Sequence, residues 1–376
     1  FNPNNAAMLR GCQYINGKYY FFDAKGVMKT GLLEYGGYCY YHGEDGARVT
    51  GFVELNGNKY YFNSYMITGV ANINGKYYGF DNNGLTLKGL HEIGTYVYYF
   101  DDEGIAVTGF HNYEGRTLYF SSTGTMCRGW ITDNNKTYYF DNDGTMMTGF
   151  IHLGGSTYYL NEDGSRASGF KKINNKKYYF NTSGVMCTTT VTLNGLVYGF
   201  NTDGEMLTGW QNIRGQIFYF NEDGSAKTGL VSYNNKTYYF SPTNGSMLFG
   251  LQTIDNKKYY FGNDGSMSFG WIKNGTAIYY ANAKGELITG IQLINGRKYY
   301  FNSYGSMVCN TVMIIDGDYY AFNNNGIMVT GFFIQNTDVY YFDADGKGRK
   351  GFFTYEGKTY YFNTDCRAVR GFQTID

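Results

Sequence analysis

Proline is nearly absent from this chain, with two in 376 residues, and tryptophan and histidine are scarce at three and four. A net excess of either charge is lacking too: 31 Lys and Arg balance 31 Asp and Glu. A neutral chain has no basic footprint for nucleic acid and no polybasic attraction to anionic lipid, so neither partner is expected. No apolar run of about 18 residues exists to cross a membrane, and no charged-then-apolar leader resembles a signal peptide. The six cysteines, Cys12, Cys39, Cys127, Cys187, Cys309 and Cys366, show no CxxC or Cys/His spacing, which predicts unpaired thiols and no metal or cofactor site. Catalytic constellations are missing as well. Asp143, Asp163, Asp203 and Asp223 recur just before glycine, as turn-forming aspartate does, and no nucleophile has histidine support. The chain reads as a non-enzyme.

What is abundant is aromatic side chain and glycine: 42 Tyr, 29 Phe and 53 Gly. They are arranged in copies of one sentence, seen at residues 51–63 as GFVELNGNKYYFN and again at 294–302, 173–181 and 355–363. Self-similarity at a short fixed period marks a repeat architecture. With Gly51 as position 1, Asn56 and Gly57 fall at positions 6 and 7, where a two-residue type I′ turn needs positive φ. Position 2 then pairs with 11, 3 with 10, 4 with 9 and 5 with 8. Because side chains alternate along a strand, Val53, Leu55, Tyr60 and Phe62 share one face while Phe52 and Tyr61 meet on the other. A lone hairpin is marginal in water, and one with two aromatic faces must stack on its neighbours. The expectation is an all-β chain, an elongated β-solenoid of about 18 stacked 20-residue hairpins forming a single domain over 1–376.

Position-1 residues recur nearly every 20 residues, with a step of 18 after Gly51 and of 21 after Gly229 and Asn310. Connectors such as residues 142–148 supply a second turn, and their Met reads as a flexible filler between hairpins. The first residues read as the second half of a unit and residues 371–376 as the first half of another, so a longer array is expected. His42 stands where other copies carry Phe and reads as its substitute.

The pattern breaks three times in one way. At position 11, Gly79, Gly199 and Ala321 replace an aromatic, and Val70, Thr190 and Thr311 replace the position-2 aromatic opposite. Losing both members of a cross-strand pair predicts a hollow, spaced at 120 and 122 residues and so marking a super-repeat. Each hollow reads either as a ligand pocket or as a bend where the next hairpin packs closer. As a pocket it would be walled by Tyr99 at the first, by Trp210 and Tyr219 at the second, and by Phe332 and Tyr341 at the third. Gln211 and Gln216 would offer amides to sugar hydroxyls at the second, and Gly199→Tyr should refill it without harming the fold.

The Gly-aromatic, Asn-Gly-x-x-Tyr-Tyr-Phe-Asn and Gly-x-Met-x-Thr-Gly wording resembles the cell-wall-binding repeats of clostridia and streptococci, which include choline-binding and glucan-binding modules. Residues 251–261 and 371–376 are most similar to the short repeats of the C-terminal repetitive domain of large clostridial glucosylating toxins. That resemblance implies a secreted, monomeric, multivalent binder of host cell-surface glycans, with a glucosyltransferase domain elsewhere in the parent toxin. The Pro-containing long repeats of those toxins have no counterpart in this wording. The other readings are a bacterial-wall or glucan-binding anchor and a structural spacer. Choline-binding repeats resemble Gly-Trp at positions 1 and 2 with Trp-Tyr-Tyr from position 9. Here position 9 is Lys59, Thr137, Lys177, Thr237, Lys258, Lys298 or Thr359, from which no specific choline binding is expected.

Overall fold

The computed structural model describes residues 7–371; the half-units read at 1–6 and 372–376 lie outside the described residues. Within it the chain is all β, with eighteen antiparallel hairpins and no helix among the described residues. Two compact units, Phe1–Met186 and Cys187–Asp376, contain nine hairpins each.

Turn chemistry sets the hairpins, as expected. Asn56 and Gly57 have φ of 53° and 76°, and the Asn134–Asn135 turn has 46° and 61°. The ladder that follows pairs Gly51 with Phe62, Phe52 with Tyr61, Val53 with Tyr60 and Leu55 with Asn58. One correction concerns register. Thr311 pairs with Phe322 and Val312 with Ala321, so Thr311 stands at position 1 and Val312, not Thr311, opposes Ala321. The turn at Asp316–Gly317 (φ 51° and 89°) fixes this count, and the extra residue is taken up before the hairpin, where Asn310 turns at φ 49°.

Stacking follows from the faces. The position-12 side chain is the core of each unit and is usually Phe: Phe62, Phe120, Phe140, Phe240 and Phe301 are 0% exposed, each contributing about 1.5–3 kcal/mol by burial, while Leu160 and Ala281 take the place in their units. His42 fills that place in its unit, with Nδ1 2.9 Å from the Gly46 carbonyl and Nε2 3.3 Å from the Tyr35 hydroxyl. Backbone links one unit to the next. The position-18 N–H donates to the position-9 carbonyl of the preceding hairpin, as from Met146 to Thr117 (2.8 Å), Arg166 to Thr137 (2.7 Å) and Met307 to Ile278 (2.7 Å). These bonds use carbonyls that would otherwise lie open along the hairpin edge.

The connector methionine is seated under a glycine of the following unit. A β-carbon at Gly144 (φ +79°) would lie 2.6 Å from the Met126 sulfur, so only glycine both adopts that turn and admits the Met. At one junction the pair is reversed. Gly348 takes the methionine's place, and Cys366, with φ 58°, takes the glycine's; its side chain is fully buried against the Ala321, Tyr340 and Phe342 cluster. All six thiols are unpaired.

The exchange makes a test. A β-carbon on Gly348 would come within 2.9 Å of the Cys366 sulfur, so Gly348→Met should lower stability by about 1–3 kcal/mol through overpacking. Adding Cys366→Gly restores the ordinary Met-over-Gly arrangement and should recover most of the loss in urea unfolding. A double variant no more stable than the single one would show that the two positions are not a volume-matched pair.

Candidate ligand-binding site

The three expected hollows are filled. A β-carbon at Gly79 would clash with the edge of the Phe100 ring, and one at Gly199 with the edge of the Phe220 ring and, at 2.9 Å, with Ile213. At the third junction Ala321 is 0% exposed and packs with Tyr340 and Phe342. The core phenylalanine of the following hairpin therefore occupies the space the missing aromatics leave, which is the close-packing form of the irregularity. Backbone closes in as well: the Gly79 N–H donates to Gly104 O at 3.2 Å. Val70 opposes Gly79 and packs on the Tyr98 and Phe100 cluster. The pairing of Val191 with Tyr198 puts Thr190 across from Gly199.

The expected walls face the other way, toward the hairpin after them. Tyr99 lies 4.1 Å from the His111 ring, and Tyr341 lies 4.2 Å from Phe353. Phe332 meets Tyr341 at 5.0 Å and Tyr360 at 5.2 Å. Gln211 donates its amide to Thr208 O at 2.7 Å, closing the loop before its own strand, while Gln216 stands exposed beside the turn. Trp210 and Tyr219 do come together, 5.1 Å apart, on a surface away from the filled junction.

That surface is a recurrent cradle. A position-2 ring meets the position-11 tyrosine of its own hairpin edge-on and the position-10 tyrosine of the next. Trp210 has Tyr219 at 5.1 Å and Tyr238 at 5.0 Å; Trp271 has Tyr280 at 5.1 Å and Tyr299 at 5.0 Å; Trp130 has Tyr139 and Tyr158 at 5.0 Å. Phe110 and Phe52 repeat the arrangement with Tyr138 at 4.9 Å and Tyr78 at 5.0 Å. The position-2 rings stay accessible, 37% for Trp130 and 45% for Trp271. The Trp210 cradle is the richest, with Tyr233 at 5.6 Å and Phe240 at 5.7 Å. It opens on a concavity of about 490 Å³ lined also by Ile217, Met247 and Asp264.

Converging ring faces of this kind attract an organic cation, and the chain's own cations demonstrate it. Lys59 Nζ lies 4.5 Å from the Phe52 centroid and 5.8 Å from that of Tyr78. Arg48 lies 4.1 Å over Tyr19, and Arg166 lies 5.5 Å over Trp130. At the rim of the Trp210 cradle Lys236 and Asp264 form an ion pair of 2.8 Å. The Lys236 ammonium, followed by the Ser266 hydroxyl, holds the Asp264 carboxyl well below the usual carboxylate range.

Two family models match stretches of the chain. The family model described as a choline-binding repeat matches residues 107–147, 127–169, 207–249 and 248–289, and that described as a putative cell wall binding repeat matches 13–28, 50–64, 168–186, 330–347 and 350–365. All three tryptophans lie in the stretches that the choline-binding-repeat model matches. Among solved structures the chain is similar to CbpJ from Streptococcus pneumoniae TIGR4, at 27% identity over 74% of this chain and 99% of that one, with a TM-score of 0.33. It is similar to choline binding protein F from Streptococcus pneumoniae at 29% identity over 80% and 98%, TM-score 0.32. The modular autolysin LytC from Streptococcus pneumoniae, in complex with a synthetic peptidoglycan ligand, is 25% identical over 58% and 52%, TM-score 0.38. No curated protein matches the chain.

The expectation of no specific choline binding is corrected by these repeat matches. Its count of Lys and Thr at position 9 passed over Ile217 and Ile278, which follow Trp210 and Trp271 in their hairpins. It also sought every ring within one hairpin, whereas Tyr238 and Tyr299 come from the next. The missed signal was the coincidence of position-2 Trp with an uncharged position 9 in the same hairpin.

Two measurements check this geometry. Gly199→Tyr, expected from sequence to be tolerated, should instead unfold the second unit at a distinctly lower urea concentration, because Phe220 already holds the space; an unchanged midpoint would mean the junction is hollow after all. Asp264 should titrate below the ordinary carboxylate value. Since its folded pKa is depressed, its contribution to stability is complete above the unfolded pKa, about 3.9 for aspartate, and is lost as pH falls through the folded value. A carboxyl-carbon titration midpoint at or above the ordinary value would rule the Lys236 pair out.

Proposed function

We propose that the chain is a non-catalytic cell-wall-binding module, secreted to the bacterial surface, that engages quaternary ammonium groups of the choline type at the Trp210 and Trp271 cradles. The observation that carries the reading is the Trp210 cradle itself: four rings 5.0–5.7 Å from an indole, a methionine at the connector position, and at the rim an Asp264 carboxylate already paired with Lys236. A quaternary ammonium has no N–H to satisfy and loses little on leaving water for ring faces, so an aromatic, hydrogen-bond-poor site selects it over a primary amine. The match of these stretches to a choline-binding repeat supports the same class of ligand.

Each site is weak by itself. Cation–π attraction of about 2 kcal/mol per well-placed face, less the cost of association, gives millimolar affinity. Repetition along one chain converts this to avidity on a wall that displays many such groups, and we read residues 1–376 as one continuous array for that purpose. The host-glycan toxin reading drew its sites from hollows at Gly79, Gly199 and Ala321. With those filled, the anchor reading stands in its place.

Calorimetric titration with choline chloride should give about two sites of millimolar affinity, and Trp210→Leu and Trp271→Leu should each remove one. Leucine occupies position 2 in the hairpins that begin at Gly31, Gly89, Gly229 and Gly250, so the substituted hairpins should remain folded. Absence of heat, together with failure to bind a choline matrix, would overturn the reading.

A further inference from the structure

We infer that the Trp130 cradle is a third cation-binding site held shut by the chain's own Arg166, and that the residue at position 18 decides which cradles accept an external ligand. The inference deepens the choline-type reading and takes its probe from it. Trp130 has the equivalent two ring partners, both at 5.0 Å, where Trp210 and Trp271 have theirs at 5.0 and 5.1 Å. The difference lies in the connector. Where Met247 borders the Trp210 cradle and Met307 occupies the equivalent position for Trp271, the Trp130 cradle has Arg166, whose guanidinium carbon is 5.5 Å from the indole centroid.

Arg166 is built into this position rather than resting on the surface. Its main-chain N–H donates to Thr137 O at 2.7 Å. Its stem passes under Gly184, where a β-carbon would lie 2.6 Å from Nε and 2.8 Å from Cγ. Among the ion pairs of the described residues none involves Arg166, and its guanidinium faces the Trp130 indole. Guanidinium stacks well on an aromatic face and needs little desolvation, and an intramolecular occupant competes at an effective concentration far above any free millimolar ligand. Lys59 over Phe52 and Tyr78 repeats the device with an ammonium from position 9.

The test is Arg166→Met, which installs the residue already present at this connector position as Met126, Met146 and Met186. Choline chloride is titrated into the full chain and its variants by calorimetry, and the number of sites is counted. The variant should bind one choline more than the wild type, three against two. Adding Trp130→Leu should abolish the gained site, and Arg166→Lys should leave it shut. An equal site count in Arg166→Met and wild type overturns the inference, as does a wild-type site that Trp130→Leu alone removes. The wild-type count reports separately on the parent reading: a chain that binds none refutes that reading, while a site gained by Arg166→Met would still establish the plug. Indole fluorescence read alongside should report the gained site as a choline-dependent change that vanishes with Trp130→Leu.

Discussion

A two-stranded sheet cannot cover its own side chains, and this chain gives nearly every one aromatic residues on both faces. Every other feature depends on how one hairpin's rings meet the next hairpin's. The position-12 ring is driven fully out of water by the following connector, and the position-2 and position-11 rings are left to find an edge-on partner one repeat away. Edge-to-face contact at about 5 Å satisfies the ring quadrupoles and leaves one ring face uncovered. A stacking interaction that completes the core thus leaves, in the same step, a row of accessible aromatic surfaces.

The same residues therefore serve cohesion and recognition, and the balance between them is set locally. At Gly79, Gly199 and Ala321 cohesion takes everything: the outer pair is deleted, and Phe100, Phe220 or Phe342 of the next unit advances into the space. At Trp210 the larger indole does the opposite, holding four rings around a concavity. Substitution of small for aromatic closes a junction, whereas the aromatic pair keeps ring surface at the edge of the stack.

How far this was legible in sequence follows from the range of each interaction. The hairpin is a local object, and Asn56–Gly57 fixed its turn, register and faces by dihedral preference alone. Where that count was started from Asn310 rather than from the Asp316–Gly317 turn, the register slipped by one and Thr311 was placed opposite Ala321. The hollows were misread because removing two side chains was equated with leaving a void, although protein interiors close over such space when a neighbour can move in. The cradles were invisible for a related reason. Trp210 and Tyr238, or Trp271 and Tyr299, lie 28 residues apart, and period-two alternation says nothing about which ring of the next hairpin comes into contact.

Position 18 draws these strands together. Its main chain is committed to the inter-hairpin bond and its side chain is confined between the next unit's glycine and the preceding unit's cradle. The position tolerates anything slender enough to pass the glycine, which admits Met and Arg alike, and those two end in groups of opposite consequence for a ring face. A thioether is polarizable and neutral and lines the cradle without competing for it; a guanidinium is itself the kind of ligand the cradle attracts. The packing constraint is identical in both cases, so stability does not distinguish them. Recognition does, and a single connector residue can change the number of receptive sites while the stacked hairpins stay as they are.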